Sequence, residues 1–210
     1  MFHKTYCRLL TVGQYYTKYP KRLMAGEVTK IIRRQFSATD FSFRTHRDAA
    51  VDLDMIIIAG TYDCFNDTQG VPYVEITLCY NPNQSYYFTN LLDWKKISFD
   101  IAECIGHEIV HQVQHKTKTK LTPYTSNHTN PVLQEDQEYL GDESEIEAYG
   151  FSIAAEMVTF NKPFTECDMY CAYLQTFDND HSVIVKLEKQ IRKYLMQLGV
   201  NNEQSNGQNC

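Results

Sequence analysis

Residues 107–111 read His-Glu-Ile-Val-His. Two histidines four apart on a helix project side by side, so both imidazoles can reach one tetrahedral zinc ion. Glu108, next to the first histidine, is then placed to take a proton from a water on that metal. Such a pair needs a third ligand. The longer spacing that supplies a third histidine from the same segment is absent, because Gln114 stands where its glycine belongs and Thr117 where its histidine belongs. His115 lies a further helical turn from His111 and is a poor substitute.

Acids follow downstream, in Asp142-Glu-Ser-Glu-Ile-Glu-Ala-Tyr149. At helical spacing Glu147 shares a stripe with Phe151, Ala154 and Val158, all apolar. Glu145 shares its side with Ser152 and Glu156 and reads as solvated. A carboxylate on an apolar stripe requires a compensating partner, because a buried unpaired charge is very costly. Zinc is one such partner and a salt bridge to Lys or Arg is another. Glu147 is therefore the expected third ligand, with Glu143, one turn earlier, as the second choice.

The elements that must carry these residues can be read from periodicity and turn signals. The spacing predicts a helix from about Phe99 to Lys116 with Ser98 as N-cap. Ile101, Ala102, Ile105, Ile109 and Val113 form its apolar back, nearly opposite His107 and His111. A second helix is expected from about Asp142 to Thr159, with Asp142 and Glu145 in capping-box spacing. Further helices follow over about Phe164 to Phe177 and Ser182 to Leu198, the latter ending at Gly199. Before the motif, Leu23, Met24, Val28, Ile31 and Ile32 predict a helix over about Lys21 to Phe36. Met55 to Ala59 and Val74 to Tyr80 predict strands. Thr117 to Tyr139 reads as a long polar loop of the kind that is usually functional or mobile. The fold class is α+β, a small sheet followed by a helical C-terminal half. One domain over 1–200 and a flexible polar tail over 201–210 are expected.

Composition narrows the function classes. At 210 residues the chain can bury a core without disulfide staples, and 43% hydrophobic with 22% charged residues is ordinary for a globular protein. A formal net charge of -6 argues against non-specific nucleic-acid binding, which needs a basic footprint. Lys18, Lys21, Arg22, Lys30, Arg33 and Arg34 read as the solvated face of one helix. Seven cysteines with no CxxC pair signal neither a disulfide framework nor a cysteine zinc site. Reduced thiols and a cytoplasmic place of synthesis are expected. No segment has the apolar length of a membrane span, so no membrane partner is expected. Three glycosylation sequons, at Asn66, Asn83 and Asn127, carry no weight without a secretion signal. The fifteen tyrosines read mainly as half-buried core and rim.

With both elements in view, the chain resembles the gluzincin group of metallopeptidases. HEIVH is followed after 147 − 111 = 36 residues by Glu-Ile-Glu-Ala-Tyr, where gluzincins carry a ligating Glu on a second helix, often followed by Ala. The segment Tyr139 to Tyr149 is also similar to small metallopeptidases encoded by bacteriophages, in which a Tyr-Leu-x(4)-Glu-Ile-x-Ala-Tyr/Phe pattern follows HExxH. Gly150 departs from the Ala more usual there. The resemblance covers about residues 98 to 158. It implies a zincin-like fold, a Zn²⁺ held by His107, His111 and Glu147, and peptide hydrolysis by activated water with Glu108 as general base. It also implies an upstream edge strand, Val74 to Tyr80, that holds the peptide or protein substrate extended. An oxyanion stabiliser would come from Tyr149, Tyr139, Tyr124 or His128.

The alternative is a non-catalytic structural or assembly protein on a zincin fold, associated with a virus particle and its structural proteins. Glu108 favours the enzyme, since a purely structural site has no use for a base.

Overall fold

The computed structural model describes residues 2–18, 25–36, 41–53, 55–65, 74–83, 91–117, 120–178 and 180–199. It is an α+β structure with one three-stranded mixed sheet and, among the described residues, seven α-helices. The elements are α1 (Phe2–Lys18), α2 (Ala25–Gln35), β1 (Phe41–Arg47), β2 (Ile56–Tyr62), β3 (Val74–Tyr80), α3 (Leu91–Lys116), α4 (Pro131–Gly141), α5 (Glu143–Phe160), α6 (Asp168–Thr176) and α7 (His181–Gln197). A 3₁₀ turn, Phe164–Glu166, precedes α6. No helix among them is long and apolar enough to cross a membrane. Two compact units divide the chain, Met1–Gln112 and Val113–Cys210. The tail expected at 201–210 lies outside the described residues, as do Asn66 and two of the basic positions, Lys21 and Arg22.

In the first unit β3 is the central strand. It pairs in parallel with β1 (Phe43 opposite Ile76) and antiparallel with β2 (Gly60 opposite Ile76). The alternation of β3 buries Val74, Ile76 and Leu78 completely. Their face is covered by Val28 and Ile32 of α2 and by Trp94, Ile97, Ile101 and Ile105 of α3. Burying each such side chain is worth about 1.5–3 kcal/mol. The first helix, α1, was not foreseen. Its inward positions Phe2, Tyr6, Leu9 and Gly13 follow a four-three-four spacing. Gly13 abuts the Trp94 ring so closely that a Cβ there would stand 1.7 Å from Cδ1, and the indole nitrogen donates to the Leu9 carbonyl at 2.7 Å.

Helix α3 begins at Leu91, eight residues before the expected start. Ser98 is not its cap. It lies inside the helix, buried, with its hydroxyl donating to the Trp94 carbonyl at 2.7 Å, the back-bonding that keeps a serine satisfied mid-helix. Of the expected apolar back, Ile101, Ala102 and Ile105 are buried, whereas Val113 is exposed. Strand β1 was also unforeseen, and the predicted helix over Lys21 to Phe36 is confined to α2 among the described residues.

In the second unit α5 packs along α7 over a core of Ile146, Ile153, Ala154, Ile184, Leu187 and Ile191, completed by Tyr170, Tyr173 and Phe177. Gly150 leaves α5 unbroken. A Cβ there would come within 2.4 Å of Gln190 Cβ and 3.2 Å of its carbonyl carbon, so the glycine admits the α7 backbone. The loop expected over Thr117 to Tyr139 ends early, at α4. Asn130 caps that helix by accepting from the Val132 amide, and Pro131 occupies the first turn. The irregular stretch before it is fixed by Ser126, whose hydroxyl donates to Gln137 Oε1 at 2.5 Å, while Gln137 Nε2 donates to the Thr176 carbonyl at 2.7 Å. Asp142 ends α4 and starts α5. Its amide bonds the Tyr139 carbonyl, and its carboxylate accepts from the Ser144 amide and hydroxyl at 2.8 and 2.6 Å.

Candidate metal centre

Histidines 107 and 111 leave one face of α3 a single turn apart. Their rings meet edge to face with centroids 5.0 Å apart, and their Nε2 atoms stand 3.3 Å apart. Two ring nitrogens facing each other at this distance need either a proton donated by one of them or a cation between them. With Zn–N bonds of about 2.0–2.1 Å, two imidazoles on a tetrahedral ion stand about 3.3–3.4 Å apart. The observed separation therefore fits shared coordination without rearrangement. His107 and Glu108 are each 8% exposed, whereas His111 is half-buried, so the first histidine and the adjoining carboxylate are held within the fold.

Glu108 lies against β2. Residue 60 of β2 comes close to it: a Cβ on Gly60 would stand 2.8 Å from Glu108 Cγ, 2.8 Å from its Oε1 and 2.6 Å from Cys104 Sγ. Burial pushes the Cys104 thiol well above its usual range, with the neighbouring acids adding to the effect. Cys104 is therefore protonated at neutral pH and behaves as a small apolar packing group.

Among the described residues, one group of three metal-ligating side chains is present: His107, His111 and Glu145. Each offers a ligand atom, and the atoms all lie within 4.8 Å of one another. This donor set of two imidazoles and a carboxylate could hold a metal ion. The carboxylate brought to the histidines is thus Glu145, two residues before the one expected.

Glu147 is engaged elsewhere. Its Oε1 forms an ion pair with Lys193 and accepts from the Tyr194 hydroxyl at 3.3 Å. Its Oε2 accepts from Gln114 Nε2 at 3.0 Å, and the same amide donates to the Ser144 carbonyl at 3.1 Å. Burial raises the Glu147 pKa, but the hydrogen bonds from Lys193 and Gln114 and the lysine charge outweigh it, so the carboxyl sits below its usual range. This is the salt-bridge solution to the apolar-stripe problem. Gln114, which occupies the glycine position of the longer zinc motif, ties the last turn of α3 to the first turns of α5. Glu143, the second choice, pairs with Lys186 at 3.1 Å and accepts from the Thr122 amide.

Sequence reasoning passed over Glu145 because its stripe, with Ser152 and Glu156, is polar and was taken for the solvated side. In the structure Ser152 is only 6% exposed. A polar stripe that turns inward is what a helix lining a site presents, and polarity alone does not separate the two cases.

The strand expected to hold substrate, Val74 to Tyr80, is corrected by the sheet order. As β3 it has partners on both sides, so its backbone groups are already used. The strand beside Glu108 is β2, which among the described residues pairs on one side only. Of the four oxyanion candidates, Tyr124 donates to Asp180 at 2.9 Å and packs on Phe177. Tyr149 packs edge to face on Tyr173. His128 Nδ1 accepts from the Asn130 amide at 3.0 Å, and Tyr139 is 53% exposed.

No family model, no curated protein and no solved structure matches the chain.

Proposed function

We propose that the protein is a zinc-dependent peptidase in which His107, His111 and Glu145 hold the metal and Glu108 is the general base. The observation that carries this reading is the 3.3 Å approach of the two Nε2 atoms, the edge length of a tetrahedral zinc site, with a buried glutamate directly beside the first of them. Two histidines from one helix, α3, and a glutamate from a second, α5, match the donor set of the gluzincins, which supports a zincin-like reading.

Zinc held by His107, His111 and Glu145 would supply a Lewis acid able to polarise a carbonyl oxygen and to acidify water. Glu108 accepts the proton from the attacking water and returns it to the departing amine, as a carboxylate with reach to both can do. Histidines 107 and 111 would hold the ion through the Nε2 atoms that face each other. Among the described residues β2 pairs on one side only, so its other side would offer backbone donors and acceptors to an extended peptide, which would pass Glu108 at Gly60.

Metal analysis of the purified protein, with peptide hydrolysis by wild type and Glu108→Gln in parallel, tests the assignment. One zinc per chain in both proteins is expected, with activity lower in Glu108→Gln by about 10²–10⁴-fold. A wild-type protein that binds no zinc, or a Glu108→Gln variant as active as wild type, overturns it.

A further inference from the structure

We infer that Gly60 is a positioning residue for Glu108, fixing where the base's carboxylate stands by having no side chain of its own. The inference rests on the peptidase reading above and assigns a residue outside the zinc-binding motif to the same site.

Strand β2 directs its even-numbered residues toward the helix layer. Ile56, Ile58 and Tyr62 fill their places in the core there. Gly60 interrupts that row. Glycine weakens a strand interior unless another group must come close, and here the group is known. The space that a Cβ would need is held by Cys104 Sγ at 2.6 Å and by Glu108 Cγ and Oε1 at 2.8 Å each. These distances are shorter than packed atoms tolerate. No backbone atom is among the three nearest, and all three belong to side chains that can rotate. A methyl group at residue 60 is therefore accommodated by swinging the Glu108 and Cys104 side chains, and the strand and helix can stay where they are. The fold survives such a change while the base is driven from its place. Conversely, the glycine backbone forms the wall against which the carboxylate rests in the native protein. A displacement of about 1 Å is enough to cost a catalytic group about 10²-fold.

The test is Gly60→Ala in the zinc-loaded full chain, compared with wild type, Cys104→Ala, Glu108→Gln and the corresponding double variants. Unchanged circular dichroism and zinc content are expected for Gly60→Ala, with kcat for peptide hydrolysis reduced about 10²-fold and KM nearly unchanged. In the Glu108→Gln background the same substitution should change kcat by less than about 2-fold, since two changes acting through one group are not additive. Cys104→Ala should remain active, and Gly60→Ala/Cys104→Ala should remain impaired. Full activity of Gly60→Ala, or its recovery in the double variant with Cys104→Ala, overturns the inference; the latter would mean that the glycine accommodates the thiol alone. A crystal structure of Gly60→Ala supplies a readout independent of turnover. A displaced Glu108 carboxylate supports the inference and an unmoved one refutes it, even if the wild type proves inert and the peptidase reading falls.

Discussion

Replacing Glu147 with alanine removes the acceptor shared by Gln114, Lys193 and Tyr194. The three donors lose unequal amounts. Gln114 is 6% exposed and keeps its bond to the Ser144 carbonyl, so it forfeits one hydrogen bond to a charged group, worth about 1.5–3 kcal/mol. The Lys193 side chain is 42% exposed and rehydrates, which limits its share to about 0–1 kcal/mol. The Tyr194 bond is long and contributes least. A loss of about 2–3 kcal/mol follows, and for a chain of this length it lowers Tm by roughly 5–10 °C. Zinc should still bind, with affinity weakened by no more than the roughly 10–100-fold typical of outer-shell partners. Glu145→Ala should show the opposite pattern, near-native Tm with zinc affinity reduced beyond 100-fold. Thermal unfolding of the metal-free proteins and competitive zinc titration read the two effects separately. Zinc loss in Glu147→Ala with retention in Glu145→Ala would refute the ligand assignment and restore Glu147 as the third donor.

Gly13→Ala should destabilise by at least about 1–3 kcal/mol, because a Cβ 1.7 Å from the Trp94 ring must displace a fully buried indole; a urea midpoint within error of wild type would contradict this packing. Asp180→Ala removes the N-cap of α7 and the acceptor of Tyr124, at a cost of about 1 kcal/mol or more in the same assay. The Ser182 and Tyr124 hydroxyls hold the Asp180 carboxyl below its usual range, so its contribution is fully present above the unfolded pKa of about 3.9 and is lost as pH falls through the lower folded value. The stability gap between wild type and Asp180→Ala should accordingly be constant from pH 7 to 5 and shrink below about pH 4, as urea unfolding at each pH would show.

Helices α5 and α7 are legible to within a residue or two at each end, because Asp142 and Gly199 are strong punctuation and the α7 stripe from Ile184 to Leu195 is regular, whereas α6 starts four residues later than expected and α4 falls inside the expected loop. Strand β3 was legible at both ends, since Asn81-Pro82 closes it. Apart from α4, whose start is marked locally by Asn130 and Pro131, what the sequence does not show depends on contacts distant in sequence. The inward row of α1 has meaning only once Trp94 is in place, and β1 becomes a strand by pairing with residues 74–80. The histidine pair was visible from spacing, as a property of one helix. The choice between Glu145 and Glu147 is not visible in the sequence, because it turns on Lys193, 46 residues away, which pairs with Glu147, while Glu145 is the acid that stands with the two histidines.

Helices α4 and α5 share Asp142 as their junction, with no linker between the last turn of one and the first turn of the other. At this junction of one residue, bonded on both sides, rotation of one helix against the other strains the bonds from the Asp142 amide to Tyr139 and from Ser144 to the Asp142 carboxylate. A tilt of α4 is therefore resisted at the turn that leads to Glu145, and the tether formed by Ser126, Gln137 and Thr176 becomes a remote brake on that turn. A glycine spacer inserted between Gly141 and Asp142 would release the brake while leaving every donor atom in the chain.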